Sequence, residues 1–177
     1  MQVRAEKVTE ESGQTDGVLF ISPFQCNCYA ATDTFVRDLT SNLPAMKSPA
    51  TTAEAAVVVV PIPHALGRAA TSRGMKVTSV ELYYKVGTGA GTALTCKLYK
   101  TTLAADGTIP TAAEVTATGD LSGSDAYDAD EHKYTLTPST PAFIADNEAL
   151  HVELSLTKAT TTHLWFYGAL VNFTRAL

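Results

Sequence analysis

The stretch His163–Phe173, HLWFYGALVNF, decides how the rest of this sequence is interpreted. Its aromatic and β-branched residues favour a strand, in which successive side chains point to opposite faces. Strict alternation divides it into two apolar sets: Leu164, Phe166, Gly168 and Leu170, and Trp165, Tyr167, Ala169, Val171 and Phe173. A sandwich strand with one face in water shows polar residues on that face. Something other than water is therefore expected to cover the second face.

Three covers are possible for that face: the N-terminal segment folded back, a second subunit packed around a symmetry axis, or a foreign surface. Burying one large apolar side chain contributes about 1.5–3 kcal/mol, so several such groups are costly to leave wet. Apolar patches of this size usually mark interaction sites. We therefore expect a subunit interface made by Trp165, Tyr167, Val171 and Phe173.

The chain upstream of this stretch reads as a series of short strands. The segment 75–86 alternates cleanly, GTGAG follows at 87–91, and alternation resumes over 92–102, which predicts a hairpin. Another alternating strand covers 148–157. About eight strands lie between residues 55 and 175, joined by turn-rich links, and no segment has a sustained helical period. The pattern predicts an all-β fold, an antiparallel, jelly-roll-like β-sandwich.

The first 54 residues differ in composition and predict an extended N-terminal arm, leaving 55–177 as the sandwich. Two apolar islands stand out, GVLFISPF at 17–24, which looks extended, and DTFVRDL at 33–39, which could form one or two helical turns. Neither can bury itself, so the arm is expected to lie across its own domain or a neighbour. The residues expected to dock it are Leu19, Phe20, Ile21, Phe24 and Phe35.

Composition excludes some classes of function. The chain has 177 residues, of which 45% are hydrophobic and 18% charged, with a net charge of -5. An acidic chain without a basic cluster is not expected to bind nucleic acid. The longest apolar run, at 55–61, is too short to span a membrane. The polar N-terminus lacks the apolar core of a secretion signal, so we expect synthesis in the cytoplasm without export by that route.

No set of residues in the sequence matches a known catalytic, metal-binding or phosphate-binding motif. Cys26 and Cys28 are too close for the common zinc spacing, and the acidic stretch at 125–131 lacks the pattern of a calcium loop. A G-x-S-x-G elbow is absent, and GTGAG lacks the Lys-Ser/Thr of a phosphate-binding loop. We therefore expect a protein that is not an enzyme and has no cofactor or metal. A hydrolase on a β-sandwich is the least favoured of the functions considered.

Three segments in order resemble the β-sandwich regions of tailed-phage virion proteins: KVTSVELYYKVGTGAGTALTCKLYKT at 76–101, TPAFIADNEALHVELSLTKA at 140–159, and HLWFYGALVNF at 163–173. An arm joined to such a sandwich is similar to capsid decoration (cement) proteins. The resemblance implies a homo-oligomer, with a trimer favoured, that binds the major capsid protein on the capsid surface of a virion. It covers roughly residues 55–177.

The first expectation is therefore a non-enzymatic capsid decoration protein that stabilises a phage head through oligomer and arm contacts, each reinforced by multivalency. The alternative is a carbohydrate-binding β-sandwich module of a phage fibre or a host-surface protein. Sugars stack on exposed aromatic rings. The candidate stacking residues are Tyr83 and Tyr99, on the outward faces of the predicted hairpin, and Tyr127, in the acidic stretch at 125–131.

Overall fold

A computed structural model describes residues 14–40, 43–63, 75–87, 89–104, 106–108, 111–121, 123–145 and 147–176. These residues form thirteen strands and two short 3-10 turns, Pro23–Gln25 and Gly123–Ala126. The strands are β1 Gln14–Ile21, β2 Asn27–Ala30, β3 Val36–Asp38, β4 Ala45–Ser48, β5 Glu54–Ile62, β6 Met75–Gly87, β7 Gly91–Thr102, β8 Ala113–Val115, β9 Ala117–Gly119, β10 Glu131–Pro138, β11 Ala142–Ile144, β12 Glu148–Lys158 and β13 His163–Ala176. No helix among the described residues is long and apolar enough to cross a membrane.

The strands build two antiparallel sheets. Sheet A has the order β3-β4-β13-β6-β10-β9, with β1 also paired to β13 and β11 to β6, and sheet B has the order β2-β5-β12-β7-β8. The consecutive strands β5, β6 and β7 alternate between the sheets, as do β12 and β13. This arrangement confirms the predicted antiparallel, jelly-roll-like sandwich.

The core lies between the sheets and follows the alternation of the long strands. In β6, Leu82 and Tyr84 are 0% and 1% exposed, whereas the intervening Tyr83 is only half-buried. Phe166 of β13, the neighbour of Tyr84 within sheet A, and Leu154 of β12 in sheet B also have no exposed surface. Since each such side chain adds about 1.5–3 kcal/mol when removed from water, the sandwich is held chiefly by these inward rows.

The hairpin predicted for 75–102 is wrong. Strand β6 pairs with β13, β10 and β11 in sheet A, whereas β7 pairs with β12 and β8 in sheet B. The Gly-rich link therefore crosses between sheets. It is held on the sheet B side, where the Gly91 amide donates to the Tyr127 carbonyl at 2.8 Å. Regular alternation identifies two strands but does not say which neighbours they choose.

The N-terminal segment enters both sheets over its described residues, where the sequence predicted an arm lying across a surface. Strand β1 pairs with β13 along its whole length, β4 pairs with another part of β13, and β2 pairs with β5 of sheet B. The island at 33–39 contains strand β3, where helical turns were predicted. Residues 1–13 of the expected arm lie outside the described residues.

A buried ion pair fastens this segment to the sandwich. The Lys158 ammonium at the end of β12 has no exposed surface and donates to Asp33 Oδ2 at 2.8 Å. It also donates to the carbonyls of Pro49 and Thr52 at 2.9 and 2.8 Å. Asp33 accepts a further hydrogen bond from the Thr51 hydroxyl. The Lys158 hydrogen bond, followed by that of Thr51, lowers the pKa of Asp33 to about 2.

A β-bulge explains why both faces of His163–Phe173 looked apolar. Phe166 lies opposite Tyr84 and Gly168 lies opposite Tyr83, so Tyr167 has no partner on β6. One extra residue flips the alternation after it. The core set is therefore Leu164, Phe166, Ala169 and Val171, each with no exposed surface.

The predicted subunit interface is corrected by this bulge. Trp165 and Tyr167 share the outer face of sheet A, but Val171 lies in the core and cannot contact a partner subunit. A second irregularity follows Asn172, after which Phe173 pairs with the buried Val77 and packs against the core. The four residues thus do not form one face.

Candidate functional site

The outer face of sheet A carries an apolar groove of about 390 Å³. Aromatic and apolar residues form most of its lining, with the Glu131 carboxylate at one side. We call it the aromatic groove, and its residues are Phe20, Leu43, Pro44, Tyr83, Tyr84, Glu131, His132 and Tyr167. Its volume falls in the range of small-molecule sites, which are mostly apolar with a few polar groups.

Gly168 creates the floor on which Phe20 lies. Its φ is 125°, which L side chains rarely adopt. An added Cβ would lie 2.7 Å from the Ile21 carbonyl oxygen and 3.0 Å from a Phe20 ring carbon. The missing side chain therefore lets strand β1 and the Phe20 ring come close to β13. Phe20 nevertheless stays 58% exposed, which leaves most of its ring free for a ligand.

Tyr83 and Tyr167 stand on the same outer face as Phe20. Tyr83 lies cross-strand from Gly168, and Tyr167 is the bulged residue next to it. The Tyr83 hydroxyl donates to Glu81 Oε2 at 2.7 Å, which fixes the ring and raises the pKa of the phenol. Burial raises the pKa of Tyr167. Both phenols are therefore protonated near neutral pH.

Ion pairs frame the groove. Lys85 Nζ lies 3.1 Å from Glu131 Oε1, and Lys133 Nζ lies 3.8 Å from Glu81 Oε2. Behind them, Tyr84 points into the core, where its hydroxyl donates to the Ala126 carbonyl at 2.6 Å. Ionic and polar contacts therefore surround the apolar centre of the aromatic groove.

The N-terminal segment covers Trp165. The Trp165 indole Nε1 donates to Asp38 Oδ2 at 3.0 Å, and Lys47 Nζ lies 4.8 Å from the centroid of the indole ring. Hydrogen bonds from Thr40, followed by the one from Trp165, lower the pKa of Asp38 to about 2. Strands β3 and β4 thus cover Trp165, which belongs to the second apolar face for which the sequence allowed three different covers.

The other two candidate sugar-stacking residues lie elsewhere. Tyr99 is on the outer face of sheet B, stacked on His151 with ring centroids 5.3 Å apart. Tyr127 packs partly against the core. The structure therefore does not bring Tyr83, Tyr99 and Tyr127 together, and only Tyr83 lines the aromatic groove.

The residues expected to dock the arm divide between core and surface. Ile21 and Phe35 are buried in the core, and Leu19 packs against it. Phe24 is half-buried, with the Arg37 guanidinium 5.1 Å from its ring centroid. Phe20 faces outward instead and lines the aromatic groove.

The described part of the chain contains no group of residues suited to a metal ion, and its cysteines are poorly reactive. No three His, Cys, Asp or Glu side chains gather there in a way that could hold a metal ion. Cys26, Cys28 and Cys96 are free thiols. Burial raises the pKa of each to about 12, which keeps them protonated and poorly nucleophilic.

Sequence reasoning missed several groove residues, namely Leu43, Pro44, Tyr84, Glu131 and His132, and it also missed Gly168, which lies beneath Phe20. A signal was available for Gly168, because a glycine inside a strand pattern often marks a bulge or a close backbone approach. No comparable signal pointed to Leu43 and Pro44, which meet the sheet only through the folding of the N-terminal segment.

No protein-family model matches this sequence, and no curated protein matches it. Solved structures that are similar include a family 61 carbohydrate-binding module in complex with β-1,4-galactotriose, at 9% identity over 84% of this chain and 89% of that chain, with a TM-score of 0.41. A family 29 carbohydrate-binding module has 11% identity, coverage of 90% and 88%, and a TM-score of 0.41. A low-affinity xylan-binding module of family 86 from Roseburia intestinalis has 13% identity, coverage of 90% and 96%, and a TM-score of 0.37. The β-sandwich of this chain is established by its own strand pairing.

Proposed function

We propose that this protein is a non-catalytic carbohydrate-binding module that takes a saccharide in the aromatic groove. The observation that carries the proposal is the grouping of Phe20, Tyr83 and Tyr167 on one outer sheet face, around the bare main chain of Gly168. The apolar faces of sugar rings stack on aromatic side chains, which also supply polar tips.

Preorganisation favours this use of the groove. Tyr83 is held by Glu81, and Phe20 is seated against Gly168, so neither ring needs much ordering when a ligand binds. Binding to rings that are already fixed loses less conformational entropy. Polar groups at the rim, such as Glu131, are placed to meet sugar hydroxyls.

Affinity electrophoresis of the full chain through gels containing soluble polysaccharides tests the proposal. We expect retardation by at least one polysaccharide, and a loss of about tenfold or more in affinity in Tyr83→Ala and Tyr167→Ala, since truncating a central aromatic contact costs this much. Tyr99→Ala is the matched control, because Tyr99 lies on the opposite sheet. The proposal fails if no polysaccharide retards the protein, or if Tyr99→Ala weakens retardation as much as Tyr83→Ala.

A capsid decoration role is a second proposal, which one observation favours. Among the described residues, the exposed large apolar side chains other than Leu103 all belong to the N-terminal segment: Val18, Phe20, Tyr29, Val36, Leu39 and Leu43. A neighbouring subunit or a capsid protein would remove this surface from water. Light scattering of the purified protein tests it: a trimer supports the role, and a monomer that does not bind assembled capsids counts against it.

A further inference from the structure

Phe20 lies between two depressions of the surface. On one side is the aromatic groove, and on the other is a second depression of about 290 Å³. We call the second one the edge groove, and its residues are Leu19, Phe20, Ile21, Gln25, Pro61 and Pro63. Because Phe20 belongs to both, a ligand longer than one sugar can continue from one groove into the other.

The edge groove offers a related chemistry. Pro61 and Pro63 are exposed rings without an amide hydrogen, so they present apolar surface. Gln25 Oε1 accepts from the Ser22 amide at 2.9 Å, which fixes the side chain of this residue. Within the described residues, no protein group takes a hydrogen bond from Gln25 Nε2. That amide can donate to a sugar hydroxyl.

The charged side chain of the aromatic groove is already paired. Glu131 Oε1 lies 3.1 Å from Lys85 Nζ. Among the described residues, no charged side chain lines the edge groove. A charged ligand would have to break the Lys85–Glu131 pair or lie without a counterion, and the net charge of -5 adds repulsion toward polyanions. The lining therefore favours an uncharged ligand.

We propose that the ligand is a neutral, extended saccharide chain that crosses Phe20 and fills both grooves, an inference that rests on the proposed carbohydrate-binding function. The chain stacks on Tyr83 and Tyr167 at one end, passes over the exposed Phe20 ring, and reaches Pro61, Pro63 and the Gln25 amide at the other. Affinity accordingly grows with chain length until both grooves are occupied.

Isothermal titration calorimetry on the full chain tests this with neutral gluco-, xylo- and galacto-oligosaccharides from monosaccharide to hexasaccharide, beside a galacturonate series. We expect the hexasaccharide of a bound neutral series to bind about tenfold or more tighter than its disaccharide, with little effect of salt. Phe20→Ala is expected to remove this length dependence. Gln25→Ala is expected to weaken only the longer ligands, and Tyr99→Ala is the control. Circular dichroism checks that each variant is folded.

Several results would overturn the inference. Length-independent binding that Tyr83→Ala still weakens contradicts the extended chain alone and leaves the proposed function standing. Tighter, salt-sensitive binding of galacturonates contradicts neutrality. A self-associated protein in light scattering that Phe20→Ala turns into a monomer assigns the surface to a second copy of the chain. Absence of binding to every saccharide overturns the proposed function as well.

Discussion

Gly168 performs two tasks that no other residue type can combine. Its φ of 125° lets strand β13 form the bulge, and its missing side chain makes room for Ile21 and Phe20 of β1. The bulge sends Ala169 and Val171 inward while leaving Tyr167 outward. A single backbone conformation therefore decides both what fills the core and which rings line the aromatic groove.

Gly168→Ala is expected to lower the free energy of unfolding by about 1–3 kcal/mol, the cost of a strained backbone conformation, with an added steric clash. Gly107→Ala is the control, since Gly107 also has a positive φ, 80°, but an added Cβ there would meet nothing within 4 Å. Urea denaturation followed by tryptophan fluorescence measures both. An equal loss in the two variants would contradict the role of the close approach between β1 and β13.

Because of the Lys158–Asp33 ion pair, we expect the free energy of unfolding to fall as the pH is lowered into the acid range. Because the pKa of Asp33 is lowered to about 2, the folded protein binds this proton less readily than the unfolded chain, where an Asp has a pKa of about 3.9. The stabilisation is complete above about pH 4 and is lost as the pH falls toward about 2. Asp33→Asn is expected to be less stable at neutral pH, with a shallower decline in acid.

Urea midpoints of the two proteins measured from neutral pH down to acid check this expectation. Asp38, whose pKa is also lowered to about 2, contributes to the decline in both proteins. The informative quantity is therefore the difference between the two curves. Parallel curves would show that Asp33 does not contribute to the acid sensitivity.

At the scale of elements, alternation in the sequence predicted the long strands well. The inward row of β6 and that of β12 follow directly from residues spaced two apart, such as Leu82 and Tyr84 or Val152 and Leu154. What alternation could not predict was the one-residue shift at Tyr167, since a bulge is invisible to a strict period of two. Alternation also does not show which strands pair, so it did not reveal that β6 and β7 lie in different sheets.

The short strands of the N-terminal segment were beyond sequence reasoning for another reason. β3 and β4 have three and four residues, too few to show a period, and their pairing with each other and with β13 is set by tertiary contacts. Two such contacts are the Trp165–Asp38 hydrogen bond and the Lys158–Asp33 pair. Only the fold brings these partners, more than a hundred residues apart in sequence, together. The aromatic groove was missed for the same reason, because its Phe20, Leu43 and Pro44 come from this segment.

A protein limited to residues 55–177 is expected to lack a stable native state. It would lose β1 and β4, which pair with β13, and β2, which pairs with β5. It would also lose Asp33, Pro49 and Thr52, whose oxygen atoms accept from the Lys158 ammonium. Removing one partner of a buried ion pair is strongly destabilising. The full chain is the matched control in a thermal unfolding experiment. Cooperative unfolding of the fragment near the midpoint of the full chain would restore the interpretation of residues 1–54 as a separable arm.

At the scale of the whole molecule, the sandwich has two unequal outer faces. Sheet A presents the aromatic groove, built on the Gly168 bulge and completed by Phe20, whereas sheet B presents Tyr99 stacked on His151. Under the proposed function, one face binds saccharide and the other does not. This asymmetry can be observed directly, residue by residue, in solution.

The most direct measurement is a titration of the ¹⁵N-labelled full chain with an oligosaccharide that binds it, followed by amide chemical shifts in two-dimensional NMR spectra. If the proposed function is correct, the largest shift changes fall on Phe20, Tyr83, Tyr167 and Gly168, while Tyr99 and His151 change little. Changes concentrated at Tyr99 and His151 on sheet B, with the amides around Gly168 unmoved, would contradict it.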